Sequence, residues 1–315
     1  MKVIVTGGAG FLGSHLVDKL LERGDQVLAI DNLLTGDLKN LDHLKNNPNF
    51  TFLNQDVSHQ FSTDFAADEI YHLASPASPS LKSPKSYHAL SFETMMVNSM
   101  GTWRLIEIAL SKKAKFLFAS TSEVYGDPLE HPQKESYRGN VSTTGPRSVY
   151  DESKRFGETI VSAFVRSKGM DGRIVRIFNS YGPRMADDGR VVIEFVAAAL
   201  QNKPFPVFGD GKQTRSFCYA TDMIDGIMLA MEKGQMGEVY NLGNPDEFSV
   251  LELAQKIKGL TNSSSKPKFG EPLPEDDPIQ RCPDITKAKE QLGWEPKVDL
   301  DEGLKKLINS LIERD

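Results

Sequence analysis

The sequence predicts an α/β protein: a doubly wound parallel sheet completed by a smaller C-terminal α+β lobe. Three observations lead there. Short β-branched runs alternate with helical stretches up to about residue 180, the pattern of strands that run parallel with helices on both faces. The first strand and first helix are joined by a glycine turn. Beyond that region the alternation loosens into Pro- and Gly-rich pieces mixed with helices.

The elements follow in order. Val3-Ile4-Val5 reads as a strand, and Ser14 to Leu21 spaces its apolar residues helically until Gly24 stops the run. Gln26–Asp31 is a second strand ending in an acid, with further strands expected at 50–53, 69–73, 115–119, 172–177 and 238–242. Lys203-Pro204-Phe205-Pro206 and Phe208-Gly209-Asp210-Gly211 break up the later chain, between helices expected at 190–201, 249–259 and 285–292. The polar tract 261–268 reads as one surface loop. The expected division is a dinucleotide-binding domain over 1–178, to which 216–243 returns, and a ligand-binding lobe from 179–215 and 244–315.

Composition narrows the function. With 39% apolar and 25% charged residues, the chain is of ordinary globular type rather than disordered. Its 37 basic and 43 acidic side chains give a net charge of −6 without a long basic run, so neither nucleic acid nor an anionic membrane is an expected partner. Cys218 and Cys282 are too few for a disulfide framework or a cysteine-based zinc site, and no His, Asp or Glu cluster has metal-ligand spacing, so no metal is expected. The N-terminus enters a strand directly and no apolar run of ~20 residues follows, which predicts a cytoplasmic protein. His72 reads as a packed, hydrogen-bonded strand residue.

Gly8-x-Gly10-x-x-Gly13 lies after a strand and at the start of a helix, where free N–H groups and the positive dipole end favour a pyrophosphate. This makes the sheet Rossmann-type. Asp31 follows Gly13 by 18 residues, placed to accept hydrogen bonds from an adenosine ribose diol and to repel a 2′-phosphate, so NAD is expected over NADP. Read alone, the glycines are also a tight turn and Asp31 a surface acid. Asp56, after the third strand, is placed either to flank the adenine or to sit solvated in its loop. Tyr150-x-x-x-Lys154 sets a phenol and an ammonium one helical turn apart, at about 5–6 Å between Cβ atoms. The expectation is that the Lys154 charge lowers the Tyr150 pKa and lets Tyr150 act as a base, with Lys154 also holding the nicotinamide ribose. By itself the pair is equally the pattern of an exposed helical Tyr and Lys.

The succession of these features with His72-Leu73-Ala74-Ser75, Ser120-Thr121-Ser122-Glu123-Val124-Tyr125-Gly126 and Arg176-Ile177-Phe178-Asn179-x-Tyr181-Gly182-Pro183-Arg184 resembles the extended short-chain dehydrogenase/reductase superfamily, which acts on nucleotide sugars. Within it, Ser75-Pro76-Ala77-Ser78-Pro79, Gly145-Pro146-Arg147, Tyr150-Asp151-Glu152-Ser153-Lys154-Arg155, Asp188-Gly189-Arg190-Val191-Val192 and Gln280-Arg281 resemble the UDP-glucuronic acid decarboxylase family. The resemblance spans nearly the whole chain.

It implies NAD contacts from Gly7, Gly8, Gly10, Phe11, Leu12 and Gly13 of the turn, and from Asp31, Asn32, Thr35, Gly36, Asp56 and Val57 around the adenosine. Leu73, Ser75, Ala119, Tyr150, Lys154, Ser180 and Arg190 are implied around the nicotinamide half. Asn179, Arg190, Arg215 and Arg281 are implied at the diphosphate of a UDP-sugar, where planar guanidinium groups suit phosphate oxygens. Arg281 also reads as an ion-pair partner of Glu275-Asp276-Asp277.

The implied catalytic set is Tyr150, Lys154, Glu123, Thr121, Ser122 and Arg281. Neighbouring 4,6-dehydratases carry Thr-Asp-Glu where this chain has Thr121-Ser122-Glu123, and the missing acid argues against elimination of water. Glu123 would be unexplained by simple 4-epimerisation, although a carboxylate at a core edge paired with an arginine is its other reading. The implied reaction is NAD-dependent decarboxylation of UDP-glucuronate to UDP-xylose through a 4-keto sugar, with NAD regenerated. A UDP-uronate or UDP-hexose 4-epimerase and a non-catalytic NAD-binding regulatory protein are the alternatives.

Residues 184–189 are expected to form a lid. The segment 80–97 is several residues longer than the family pattern, and its Met95 and Met96 are expected to face the core. The resemblance further implies a homodimer through a four-helix bundle of helices near 98–110 and 150–168. Ile160, Val161, Phe164 and Val165 are candidates for that interface or for the chain's own sheet.

Overall fold

The computed structural model describes residues 1–313. Strand β1 (Lys2–Thr6) leads through the glycine turn into α1 (Phe11–Glu22), which buries Leu16, Val17 and Leu20 and ends just before Gly24, a residue with φ of +90°. Strands β2 (Gln26–Asp31), β3 (Phe50–Asn54) and β4 (Glu69–His72) follow, then the short α2 (Ser91–Met96), a widened turn over Val97–Gly101, and α3 (Thr102–Lys112). Strand β5 (Lys115–Thr121), the long α4 (Ser148–Lys168), β6 (Gly172–Ile177) and the two-residue β7 (Ser180–Tyr181) complete the first part of the chain.

Helix α5 (Val191–Leu200), β8 (Phe205–Phe208), β9 (Thr214–Ser216) and β10 (Cys218–Tyr219) come next. Then follow α6 (Ala220–Lys233), β11 (Val239–Leu242), β12 (Glu247–Ser249), α7 (Val250–Thr261), β13 (Pro267–Glu271), β14 (Gln280–Arg281), α8 (Thr286–Leu292) and α9 (Leu300–Ile312).

The main sheet runs β3-β2-β1-β4-β5-β6-β11, every pair parallel. Strand order reverses between β1 and β4, which opens a crevice at the C-terminal ends of the strands. One face is covered by α1, α6 and α8, with Leu16, Ile227, Met231 and Trp294 in its core. The other is covered by α3 and α4 around Ile106, Phe116, Phe118 and Val161. The smaller lobe packs α5, α7 and α9 around Phe195, Phe205, Leu253 and Leu304. Its α7 opens with a capping box, Ser249 bonding the Glu252 N–H while the Glu252 carboxylate returns to Ser249. Among the described residues no helix is long and apolar enough to cross a membrane.

Three expectations change. The tract 261–268 is not one surface loop: Ser263 and Ser265 are buried and β13 pairs with β8, because Asn202 accepts hydrogen bonds from both Ser263 and Ser264 and draws the segment onto the lobe. Met95 and Met96 are exposed rather than core-facing, since the core side of this turn is taken by Thr94, Val97 and Asn98. Ile160 and Val161 lie in the sheet-side core with Phe164 and Val165 packed against it, so these four cover this chain's own sheet.

Candidate active site

A cavity of about 1150 Å³ follows the crevice from the glycine turn to the smaller lobe. Glycine is required where it lines the near end. Gly7 has φ of +74°, and a Cβ there would stand 2.8 Å from the Ala74 backbone; a Cβ on Gly13 would overlap the Gly7 carbonyl oxygen. The result is a bare backbone cradle at the start of α1, which fits a pyrophosphate. Asp31 closes the next part. Its carboxylate accepts from the N–H groups of Ala9 (3.0 Å) and Leu33 (2.8 Å), and burial raises its pKa against those two bonds. A Cβ on Gly36 would come within 3.0 Å of the Asp31 oxygens. Burial works to raise the Asp56 carboxyl as well, but bonds from Ser58 and Asn32 outweigh it and hold that group below its ordinary value.

All the expected site residues reach this cavity except Gly8. Gly8 stands behind the turn, where a Cβ would come within 2.7 Å of the Ala29 side chain, so it serves helix–strand packing. His72 is buried, bonded to Thr6 at 2.8 Å and pushed down to about 3 by burial and the Lys154 charge, in keeping with a packed strand histidine.

At the far end of β5, Thr121, Ser122 and Glu123 turn into the cavity. Helix α4 brings Tyr150 and Lys154 alongside, both buried. The expected lowering of the Tyr150 pKa by Lys154 is not what the structure holds. Burial pushes the phenol well up; its hydrogen bond with Thr121 lowers it, the Glu123 and Asp151 charges raise it, and the Arg190 charge lowers it. The Lys154 Nζ donates to the Ala119 carbonyl at 2.7 Å and lies 4.9 Å over the Phe118 ring, and its own burial pushes it down to about 7. Desolvation outweighs proximity for both groups.

Glu123 is the centre of a buried ion network. Arg147 bonds it at 2.6 Å, and Arg281 clasps both its oxygens, one of them at 2.9 Å. Burial works to raise this carboxyl, but the two guanidinium groups outweigh it and hold it well below the usual carboxylate range. The expected pairing of Arg281 with the 275–277 acids gives way to this one. Asp277 is taken by Arg147 at 3.1 Å and Arg215 at 2.9 Å. Arg190 pairs with Asp188 at 2.9 Å and stands 5.8 Å over the Phe11 ring, near the helix N-terminus.

Two residues outside the expected set shape the site. Arg147 was visible only within the Gly145-Pro146-Arg147 run. Tyr87 stacks on Tyr150 at 4.8 Å with rings 7° from parallel, and its hydroxyl is buried without a partner. No local pattern announces it, because the contact joins the segment before α2 to α4.

A parallel sheet with this strand order, a glycine cradle closed by Asp31, and a Tyr and Lys on α4 facing a second lobe define a dinucleotide-dependent enzyme of the short-chain dehydrogenase type. The chain belongs to the family described as GDP-mannose 4,6 dehydratase, whose sequence profile matches residues 4–307. It is 50% identical over 315 residues to UDP-glucuronic acid decarboxylase 1 of Arabidopsis thaliana, covering 100% of this chain and 70% of that one. Among solved structures, UDP-glucose 4-epimerase of Thermotoga maritima with UDP-glucose superposes with a TM-score of 0.88 at 32% identity, covering 100% of this chain and 99% of that one. UDP-glucuronic acid 4-epimerase of Bacillus cereus, in complex with UDP-glucuronic acid and NAD, gives 0.87 at 31% identity with both chains covered to 100%.

Proposed function

We propose that this protein is an NAD-dependent lyase that decarboxylates UDP-glucuronate to UDP-xylose. The reading rests on one observation above the rest: Ser122 and an ionised Glu123 line the same cavity as Tyr150, Lys154 and the dinucleotide cradle. The relatives named as decarboxylases support it along the whole chain.

Gly7, Gly10 and Gly13 would hold the pyrophosphate of NAD, Asp31 the adenosine ribose and Lys154 the nicotinamide ribose. NAD, when bound there, would supply the hydride acceptor for C4 of the sugar and be regenerated in each turnover. Tyr150 Oη would remove the C4 hydroxyl proton as the phenolate, a form that burial disfavours and that the positive charge of a bound nicotinamide would favour. Once C4 is a ketone, the C5 carboxylate is β to it, and the electron pair left by departing carbon dioxide is delocalised onto the C4 oxygen. The hydroxyls of Tyr150 and Thr121 stabilise that oxygen. Glu123, held in place and anionic by Arg147 and Arg281, is assigned to assisting decarboxylation or positioning the C5 proton donor. A proton at C5 gives the 4-keto pentose; return of the hydride to C4, with Tyr150 giving its proton back to the C4 oxygen, would complete the product. Asn179, Arg190, Arg215 and Arg281 are assigned to the UDP half. The 184–189 segment, tied by the Ser78 hydroxyl to the Asp188 carbonyl at 2.8 Å, is the lid that excludes water.

The test is product analysis. Purified NAD-loaded protein should convert UDP-glucuronate to a nucleotide sugar lighter by one carbon dioxide, without net NADH. A product of unchanged mass would instead mark a 4-epimerase, and no product would sink the assignment.

The same reading includes a homodimer. Phe92, Met95, Met96, Met100 and Trp103 on the α2–α3 segment are exposed, as is Phe156 on α4. Helices α3 and α4 pack side by side, with Trp103 edge-on to Phe164 at 4.8 Å. A second copy presenting the same two helices would cover this apolar face as a four-helix bundle. A cytoplasmic location accords with two free, buried cysteines.

A further inference from the structure

Cys282 immediately follows Arg281, but it does not line the cavity. Its sulfur lies in a cluster with His131 and Glu247, the three ligand atoms all within 4.8 Å of one another. His131 Nε2 stands 3.0 Å from Glu247 Oε2. These residues come from three separate parts of the chain, His131 and Glu247 being 116 positions apart, which is why no spacing in the sequence announces them.

We propose that His131, Glu247 and Cys282 form a binding site for a thiophilic divalent cation, zinc in particular, outside the catalytic cavity. Imidazole, carboxylate and thiolate together are the donor set that zinc takes, and the softness of sulfur disfavours magnesium and calcium. Zinc bonds of ~2.0 Å to nitrogen or oxygen and ~2.3 Å to sulfur place tetrahedral donors roughly 3.3–3.5 Å apart. The His131–Glu247 separation of 3.0 Å is within about 0.3 Å of this, and from the 4.8 Å limit the sulfur has to move by no more than about 1.5 Å. His131 and Glu247 are partly exposed, with 30% and 23% of their side chains open, so solvent reaches the fourth position.

The surroundings are built for the same task. The Thr214 hydroxyl donates to the second Glu247 oxygen at 2.5 Å. Gln133, fully buried, accepts the Cys282 N–H at 2.9 Å and lies 3.5 Å from His131 Nδ1, so one side chain braces two of the ligands. The charges facing the thiol are Glu247, Asp246 and Asp284. Three carboxylates around the cluster are a favourable setting for a dication. Without metal the sulfur is a thiol donating to the Pro245 carbonyl at 3.2 Å. On binding, the S–H bond breaks, a sulfur–metal bond forms and one proton leaves to solvent. The bound ion ties β12 to the end of β14 and to the 127–140 loop, directly behind the backbone that carries Arg281 to Glu123.

Cobalt substitutes for zinc and reports its ligands. Titration of the NAD-loaded full chain with Co²⁺ should show one equivalent bound, a thiolate-to-cobalt charge-transfer absorption in the near ultraviolet, one proton released per ion, and displacement by Zn²⁺. Cys282→Ser, which keeps the His131–Glu247 pair, should lose the absorption and bind Zn²⁺ at least about tenfold more weakly. Cys218→Ala should change neither. Independently of any variant, one equivalent of Zn²⁺ should protect Cys282 of the wild-type chain from alkylation, located by peptide mass. No charge-transfer band at one equivalent, a band that survives in Cys282→Ser, or unaltered alkylation of Cys282 would each overturn the proposal.

Discussion

Replacing Lys154 by methionine should make the protein more stable at neutral pH while abolishing its activity. The Lys154 ammonium is buried on α4, and burial outweighs the single favourable charge of Glu158, so its pKa falls from 10.5 to about 7. At pH 7 that displacement corresponds to roughly 4 kcal/mol of penalty for an ammonium that the unfolded chain keeps in water. Methionine has similar length and no charge. The Ala119 carbonyl loses the donor it had at 2.7 Å, a cost of about 1 kcal/mol, and packing will be imperfect. A net gain of about 1–3 kcal/mol, or roughly 2–8 °C in Tm, remains.

The sign with pH is specific. Below about 7 the whole penalty is present; between 7 and 10.5 the native chain binds fewer protons than the unfolded one, so wild-type stability rises with pH relative to the variant. The advantage of Lys154→Met should therefore shrink steadily across that window. Thermal melts of both proteins, stripped of dinucleotide so that ligand linkage does not enter, measure this directly. A variant that melts lower than wild type at pH 7, or a gap that does not narrow toward pH 10, would refute the desolvation argument.

Tyr150→Phe should leave the melt close to wild type, because the stacking on Tyr87 is retained, and should reduce turnover by at least about 100-fold in the product assay. Glu123→Gln leaves two buried guanidinium groups short of a counter-charge and should cost about 3 kcal/mol, with much slower carbon dioxide release. The Glu123 pKa is depressed in the folded chain, so its stabilisation is complete above pH about 4.5 and lost progressively as pH falls toward the folded value; the gap between the melts of wild type and variant should narrow as pH falls below about 4.5. Met96→Glu combined with Met100→Glu places charge on the exposed α2–α3 face and should shift the protein to monomer by light scattering.

The sheet was legible because its strands are short β-branched runs punctuated by glycine and acids: Gln26–Asp31 and Gly172–Ile177 have the expected bounds, and the rest of the main sheet differs by two residues or fewer at either end. The smaller lobe was legible only in α5 and α7. Beyond the expected elements the structure adds α9, and β8 with β13, whose pairing joins segments far apart in the chain and leaves no local periodicity. At the site, single residues were placed well and their partners poorly. Tyr150, Lys154 and Glu123 reach the cavity as expected. Helical spacing alone predicted a Lys154 charge acting on Tyr150, whereas the burial of both, a property of the packed molecule, decides their protonation. Arg281 could be assigned a carboxylate only after folding had brought Glu123, in the turn after β5, closer to it than the 275–277 acids.

Asp277 gives the cavity a means of exchanging anions. Its one carboxylate joins Arg147, just ahead of α4, to Arg215 on β9. If a diphosphate recruits Arg215, as proposed, it would compete with Asp277 for the same guanidinium, and Asp277 would then be free to turn to Arg147. Arg147 is also the clasp on Glu123. The arrival of a nucleotide diphosphate would thereby reach Glu123 through two ion pairs.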